Sequence, residues 1–322
     1  MELLKLQKSF IIIFHSGIKS FDNNVRNSGG ASVMIELCKM INIYYKKDTA
    51  FIINSSNLKE YLYKFRKRNY KKHDQEFIKF ISPDEIFLVN NILITHHMID
   101  NFLNLKNHIT LNLYFSDKIY DNVIYYSKTF FDSEKKLSYL NPNLNEIEHK
   151  NILMNDFFIP ANLEIILEKC FDKKYNRDTN LYLLKKGIEN NHNIKLREEL
   201  NYIHPENSIL LEYKDIDELI EKFNKAKYFY SYDPFTFLNT ISCLCGCITI
   251  IVPFANFKNI SEIYSEKFNY YGLAYGDNEQ EIEYAIKTMH KVREELQKYD
   301  DKYFKNKINS LIQLLKTKFN FK

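Results

Sequence analysis

The sequence predicts an α/β protein of two domains, each built around a parallel β-sheet. Its 322 residues suit two domains of ordinary size, and 45% of them are apolar, which is enough for packed cores. Short apolar runs alternate with stretches of helical spacing along the chain. Strands that alternate with helices favour parallel pairing, because each helix returns the chain to the same end of the sheet.

The first half carries the signals of the amino-terminal domain. Residues 9–14 predict a buried first strand, and a polar loop ending in Asn27-Ser28-Gly29-Gly30 follows it. Apolar residues at helical spacing predict a helix over 31–45. Further elements are expected in chain order: strands at 50–53, 86–89, 92–95, 109–114 and 122–126, and helices at 58–65 and from about 97.

The second half predicts another α/β series after a polar stretch at 130–156 and a short helix at 162–170. Strands are expected at 181–184, 208–213, 227–232 and 247–252, and helices at 215–226, 235–245, 278–298 and 301–318. Asp215 is a plausible cap for the first of these four helices. The predicted domains are therefore residues 1–160 and 179–322, joined by a linker at 161–178.

Charge and composition argue against nucleic-acid binding. The net charge is +4, from 45 basic and 41 acidic residues, and no basic and aromatic motif recurs. The densest basic run, residues 64–72, is best interpreted as a solvated helix end or loop. The sharper alternatives are an anionic membrane surface or a phosphate-rich partner.

The five cysteines indicate a reducing compartment and no metal site. Cys243, Cys245 and Cys247 alternate without the C-x-x-C spacing or the nearby histidine of a zinc site. We interpret them as small buried hydrophobes. Because no apolar run reaches the length of a secretion signal or membrane span, the protein is expected to be soluble and cytoplasmic.

The segment Tyr232-Asp233-Pro234-Phe235-Thr236 is the strongest candidate for a ligand site. It joins a predicted buried strand to an apolar helix, at the end of a strand where open α/β sheets bind ligands. Unsatisfied N–H groups at the start of that helix would suit a diphosphate, and the Thr236 hydroxyl would add a hydrogen bond. The alternative is that Asp233 only caps the helix and Thr236 faces the core.

This segment, followed by Gly246 and a strand that ends at Pro253, resembles the nucleotide-sugar half of GT-B glycosyltransferases. The resemblance implies two Rossmann-like domains facing a cleft. When the sequences are aligned on Gly246, Asp233 takes the first of two glutamate positions of many retaining members, whereas Ile241 occupies the second. The Tyr-Asp-Pro-x-Thr variant is similar to transferases of bacterial surface-polysaccharide clusters.

The resemblance implies transfer of a sugar from a nucleotide-diphosphate donor to a glycan or lipid-linked acceptor, without a metal or cofactor. Asp233, Tyr232 and Thr236 would hold the donor. A fixed cation would neutralise the leaving diphosphate, and the candidates are Lys185, Lys186 and Arg177. The terminal helix from about 301 would cross back onto the first domain, as it often does in that family.

Four further residues receive roles from the same resemblance. Gly29 and Gly30 would close the cleft, although a pair of glycines is also common in loops of no special function. Glu262 would replace the glutamate missing at Ile241, or would simply interact with a helix dipole. His97 would be the general base on the acceptor side; a polar pair that starts a helix is the alternative, and His15 and His96 have similar claims.

Two other functions share this scaffold: a non-catalytic nucleotide-sugar-binding protein and a GT-B-fold epimerase. A nicotinamide enzyme is not expected, because the G-x-G-x-x-G fingerprint is absent. A cytoplasmic protein with peripheral association at the inner membrane face would fit a lipid-linked acceptor.

Overall fold

A computed structural model describes residues 11–14, 29–53, 74–81, 91–96, 107–113, 120–126, 151–160, 162–184, 204–253, 257–264 and 266–321. The predicted elements at 58–65, at 86–89 and from 97 lie outside these ranges. Two compact units divide the chain: unit 1 is Met1–Asn162 with Tyr299–Lys322, and unit 2 is Leu163–Lys298. Within the described ranges, no helix has the length and apolar character needed to cross a membrane.

Unit 1 contains a parallel sheet of seven strands in the order β3-β2-β1-β4-β5-β6-β7. The strands are β1 Ile11–Phe14, β2 Ala50–Ile53, β3 Phe80–Ile81, β4 Ile92–His96, β5 Asn107–Asn112, β6 Val123–Tyr125 and β7 Ile152–Met154. This is the Rossmann order extended by one strand. The order reverses between β1 and β4, where Phe14 lies beside Thr95, and ligands bind beyond such a reversal.

Two helices of unit 1 pack together although they are far apart in sequence. Helix α1 spans Gly29–Tyr44, and the last helix of the chain, α6, spans Asp301–Phe319. The Tyr44 hydroxyl donates to the Asp301 carboxylate at 2.7 Å, and the Tyr44 and Phe304 rings stack at 6.5 Å. The predicted domain 179–322 included α6, and the terminal helix was expected to cross back onto the first domain; its residues belong to unit 1.

Unit 2 contains a parallel sheet in the order β12-β11-β10-β8-β9. Its strands are β8 Thr179–Leu183, β9 Ile209–Leu210, β10 Ala226–Ser231, β11 Ile248–Ile251 and β12 Leu273–Tyr275. Counted within the unit, this is the doubly wound order 2-1-3-4-5. The order reverses between β8 and β10, whose carboxyl ends pair Leu183 with Ser231. The prediction of an α/β protein with two Rossmann-like domains is confirmed by the two strand orders.

The helices of unit 2 are α2 Leu163–Lys169, α3 Ile216–Lys225, α4 Leu238–Leu244 and α5 Glu279–Leu296. Asp215 caps α3 as predicted, because its carboxylate accepts a bond from the Glu218 N–H at 2.9 Å. Helix α4 begins at Leu238, three residues later than predicted, since the preceding residues form a turn.

The segment predicted as a linker, 161–178, carries a helix and packs into unit 2 from Leu163 onward. Arg293 of α5 donates to the carbonyl oxygens of Leu167 and Cys170, at 2.8 Å for the first. These bonds satisfy carbonyl groups at the end of α2, and they hold the segment against the unit.

Candidate functional site

The candidate site is the turn at the carboxyl end of β10, where the strand order of unit 2 reverses. Asp233 is half-buried, and its Oδ1 accepts a hydrogen bond from the Phe235 N–H at 3.1 Å. Ser231, the last residue of β10, donates from its hydroxyl to the Asp233 carbonyl oxygen at 2.8 Å. The backbone and the carboxylate of Asp233 are therefore both held in place.

Two more buried side chains hold the same turn. Asn239, in the first turn of α4, donates from Nδ2 to the carbonyl oxygens of Asp233 and Pro234, both at 3.0 Å. The Tyr264 hydroxyl also donates to the Pro234 carbonyl oxygen. Burial, and then the nearby Asp233 charge, raise the pKa of Tyr264, so this phenol remains a protonated donor.

Several backbone N–H groups of the turn, which the sequence predicts as an anion site, take part in hydrogen bonds within the turn. The Phe235 N–H bonds to Asp233 Oδ1, and the Thr236 N–H bonds to the Asp233 carbonyl oxygen at 3.4 Å. The Leu238 N–H points to the Thr236 Oγ1 at 3.4 Å, and the Asn239 N–H bonds to the Thr236 carbonyl oxygen at 3.2 Å.

Tyr232 connects the turn to a histidine that sequence reasoning missed. Its hydroxyl lies 2.7 Å from His204 Nδ1, and the His204 ring stacks on Tyr182 at 4.3 Å with an interplanar angle of 5°. Burial lowers the pKa of His204, which favours the neutral ring. No spacing in the sequence links residues 204 and 232, because the pairing depends on the order of the strands.

Arg177 lies at the amino-terminal ends of the strands, whereas the turn at Asp233 lies at their carboxyl ends. This position does not fit the role at the donor phosphates that was expected of Arg177. It donates to the carbonyl oxygens of Phe223 and Ala226, both at 2.8 Å, and to that of Cys245 at 2.6 Å. A fourth bond, at 2.9 Å, joins it to Asp172. Because Ala226 begins β10 and Asp233 follows its end, roughly 20 Å separates Arg177 from the turn. Its place is structural.

Glu262 is held by its own loop. Its two carboxylate oxygens accept bonds from the Lys258 N–H and from Asn259 Nδ2, each at 3.0 Å. It ends a short 3₁₀ turn, Ile260–Glu262, and Tyr264 then reaches the Pro234 carbonyl oxygen. Glu262 therefore lies on a segment that contacts the site through Tyr264. Its carboxylate accepts hydrogen bonds from the loop itself.

The remaining predicted residues fall in unit 1 or outside the described ranges. Gly29 and Gly30 begin α1 in unit 1, and His96 ends β4. His15, His97, Lys185 and Lys186 lie outside the described residues. In sequence, His97 directly follows β4, and the lysine pair follows Leu184 just after β8.

The cysteines behave as the small buried hydrophobes that the sequence predicts. All five are free thiols with buried side chains. Burial raises the pKa of Cys38 and of Cys243 to about 12, which keeps these thiols protonated and unreactive. Among the described residues, no three His, Cys, Asp or Glu side chains cluster as metal ligands.

The likenesses of this chain to known proteins are structural and distant. No protein-family model and no curated protein matches the chain. Among solved structures, the crystal structure of Arabidopsis thaliana UGT89C1 complexed with quercetin aligns with a TM-score of 0.37 and 10% sequence identity. The alignment covers 95% of this chain and 94% of that one. The fold class is therefore defined by the strand orders of the two units.

Proposed function

We propose that this protein is a glycosyltransferase that moves a sugar from a nucleotide-diphosphate donor to a glycan or lipid-linked acceptor. One observation carries the proposal: a half-buried carboxylate, Asp233, stands at the strand-order reversal of a nucleotide-binding type of sheet, on a turn held by three buried side chains. The role in surface-polysaccharide synthesis, without a metal, belongs to the same proposal.

Asp233 recognises donor hydroxyl groups in this proposal, and the phosphates are bound by other side chains. A carboxylate accepts hydrogen bonds and repels phosphate oxygens, so it suits the sugar. The Thr236 hydroxyl has a proton to donate to a phosphate oxygen. Lys185 and Lys186 follow β8, the strand that pairs with β10, and would supply the positive charge for the leaving diphosphate.

We assign the binding of the acceptor to unit 1. There the strand order reverses between β1 and β4, and His15 and His97 follow these two strands in sequence. We assign His97 as the general base, because a histidine pKa lies near the working pH. Gly29 and Gly30 begin α1, where the backbone of small residues can approach a ligand closely.

A thermal-shift screen against UDP-, GDP-, CMP- and ADP-sugars tests the proposal. One donor class should raise the melting temperature, because a ligand that binds only the folded state stabilises it. Absence of a shift with every class would contradict donor binding. A transfer or donor-hydrolysis assay with the best donor then tests catalysis, and His97→Ala should abolish it while the thermal shift persists.

A non-catalytic nucleotide-sugar-binding protein is the second candidate, and one observation favours it. Ile241, at the position of the second family glutamate, is only 5% exposed within α4, so that position presents an apolar side chain to the core. A donor that raises the melting temperature but is neither hydrolysed nor transferred would support this second function.

A further inference from the structure

Three of the five asparagines that are buried among the described residues differ in how their side-chain amides are satisfied. Asn42 donates to the carbonyl oxygens of Ala50 and Phe77, at 2.9 and 2.8 Å, and its Oδ1 accepts from the Thr49 and Ala50 N–H groups. Asn224 donates to the Ile220 carbonyl oxygen at 3.0 Å and accepts from the Lys173 N–H at 2.7 Å. Both amides are satisfied on both sides, as expected for buried polar groups that stabilise a fold.

Asn239 is satisfied on its donor side alone. It is 3% exposed, and its Nδ2 bonds both carbonyl oxygens of the Asp233-Pro234 turn. Its Oδ1 is buried and has no hydrogen-bond partner within the part of the chain that the structure describes. An unpartnered buried acceptor destabilises a protein, so its presence in the fold requires another reason.

The two carbonyl oxygens do not depend on Asn239 for a partner. The Asp233 carbonyl oxygen also accepts from the Ser231 hydroxyl, and the Pro234 carbonyl oxygen also accepts from the Tyr264 hydroxyl. An apolar residue of similar size at 239 would leave both oxygens bonded and would remove the unpartnered Oδ1. The folded state alone therefore gives little advantage to an asparagine here.

We propose that Asn239 is a positioning residue for sugar recognition: by adding a second hydrogen bond to each of the carbonyl oxygens of Asp233 and Pro234, it fixes the orientation of the turn, and with it the direction of the Asp233 carboxylate toward the donor sugar. This inference rests on the proposed function. It adds that the sugar-binding geometry depends on a residue whose own amide reduces stability, as functional sites often do. Asn239 acts through Asp233 and does not itself touch the donor.

The test compares Asn239→Leu with the wild type, using calorimetric titration of UDP-glucose, GDP-mannose and ADP-glucose beside UDP, GDP and ADP. The melting temperature of the variant should stay level or rise. The Kd for the nucleotide sugar that the wild type binds should increase about tenfold to a hundredfold. The Kd for its nucleoside diphosphate should change by less than about threefold, because the phosphate and base contacts do not involve Asp233.

Asn224→Leu is the matched control, since it makes the same substitution at a buried asparagine satisfied on both sides. It should lower the melting temperature and leave the ratio of the two Kd values unchanged. Asn239→Ala repeats the measurement with a smaller side chain, in case leucine disturbs packing, and the same change in the Kd ratio is expected.

Three outcomes would overturn the inference. Asn239→Leu and Asn239→Ala could both bind nucleotide sugar as the wild type does, or could weaken nucleotide sugar and nucleoside diphosphate equally. Asn239→Leu could also lose stability as Asn224→Leu does, which would make the amide a structural one. If the wild type binds none of the nucleotide sugars, the proposed function itself is contradicted, and the inference falls with it.

Discussion

The hydroxyl of Tyr232 is bonded to Nδ1 of His204 at 2.7 Å, and this bond joins the end of β10 to the residues that precede β9. The histidine ring is also stacked on Tyr182, so two tyrosines from neighbouring strands determine its position. The hydrogen bond therefore links His204 to Tyr232, the residue directly before Asp233, whose carboxylate is proposed to bind the sugar.

Folding stability should depend on pH through His204. Burial lowers the pKa of His204 in the folded protein, so the unfolded chain binds a proton more readily. Stability should therefore fall as the pH drops through the ordinary histidine pKa of 6.5 toward the lowered value. His204→Gln removes this contribution, and thermal melts at about pH 7.5 and about pH 5.5 should show a smaller difference than the wild type.

The control for this experiment is His290→Gln, on the exposed face of α5. It makes the same substitution at an exposed histidine and so reports the effect of the substitution itself on the melts. If His204→Gln retains the full difference between the two pH values, this half-buried histidine is not the group responsible.

Gly246→Ala should destabilise the protein more than the same substitution at another glycine with a positive φ. At Gly246, φ is 76° and an added Cβ would lie 2.6 Å from Asp172 Cγ and 2.8 Å from Arg177 Nη2. At Gly276, φ is 82° but the nearest atom, Pro253 Cγ, is 3.4 Å away. Denaturant unfolding should show a loss of about 1 kcal/mol at Gly276 from backbone strain, and about 2 kcal/mol more at Gly246 from overpacking. Equal losses would mean that the Arg177 side chain moves aside.

Arg177→Lys should reduce stability without affecting donor binding. The arginine donates four hydrogen bonds at the amino-terminal ends of the strands, and a lysine cannot reproduce that geometry. We expect a loss of about 2–4 kcal/mol in the free energy of unfolding, measured with denaturant. Titration with the best nucleotide sugar should give the wild-type Kd, and a marked loss of affinity would restore Arg177 to the donor site.

Thr236→Val and Lys186→Ala should weaken the whole nucleotide, in contrast to the sugar-specific effect expected at Asn239. Both side chains are assigned to the phosphates, so the Kd for nucleotide sugar and for nucleoside diphosphate should rise together, by about tenfold for Thr236→Val. Valine preserves the shape of threonine and removes only the hydroxyl. A thermal shift with donor equal to that of the wild type in both variants would mean that the phosphate site is misplaced.

The longer strands could be predicted because buried parallel strands are continuous apolar runs with flanking turn residues. Residues 50–53 were predicted as a strand and form β2. The short strands β3, β7 and β12 were not predicted, since none of them lies in a longer apolar run such as residues 208–213, which predicted β9. Ile152 of β7 is 47% exposed, which also removes the apolar signal of a buried strand.

The turn that follows β10 could be predicted from the sequence, but the hydrogen bonds within it could not. The strand that leads into Asp233, and the buried helix after it, follow from apolar runs and Pro234. The bonds that consume the N–H groups of the turn come from side-chain geometry, and Asn239 reaches back five and six residues to make its own. No periodic pattern in the sequence reports such contacts.

Helix α6 completes unit 1 although it lies at residues 301–319, after the whole of unit 2. During synthesis, the β1–β7 sheet therefore leaves the ribosome long before the helix that covers α1, whereas unit 2 emerges as one uninterrupted segment. The usual order, in which the amino-terminal domain is complete first, does not hold for the synthesis of this chain, because the residues of unit 2 are complete before those of unit 1. All residues of unit 2 are therefore synthesised before α6, the helix that completes unit 1.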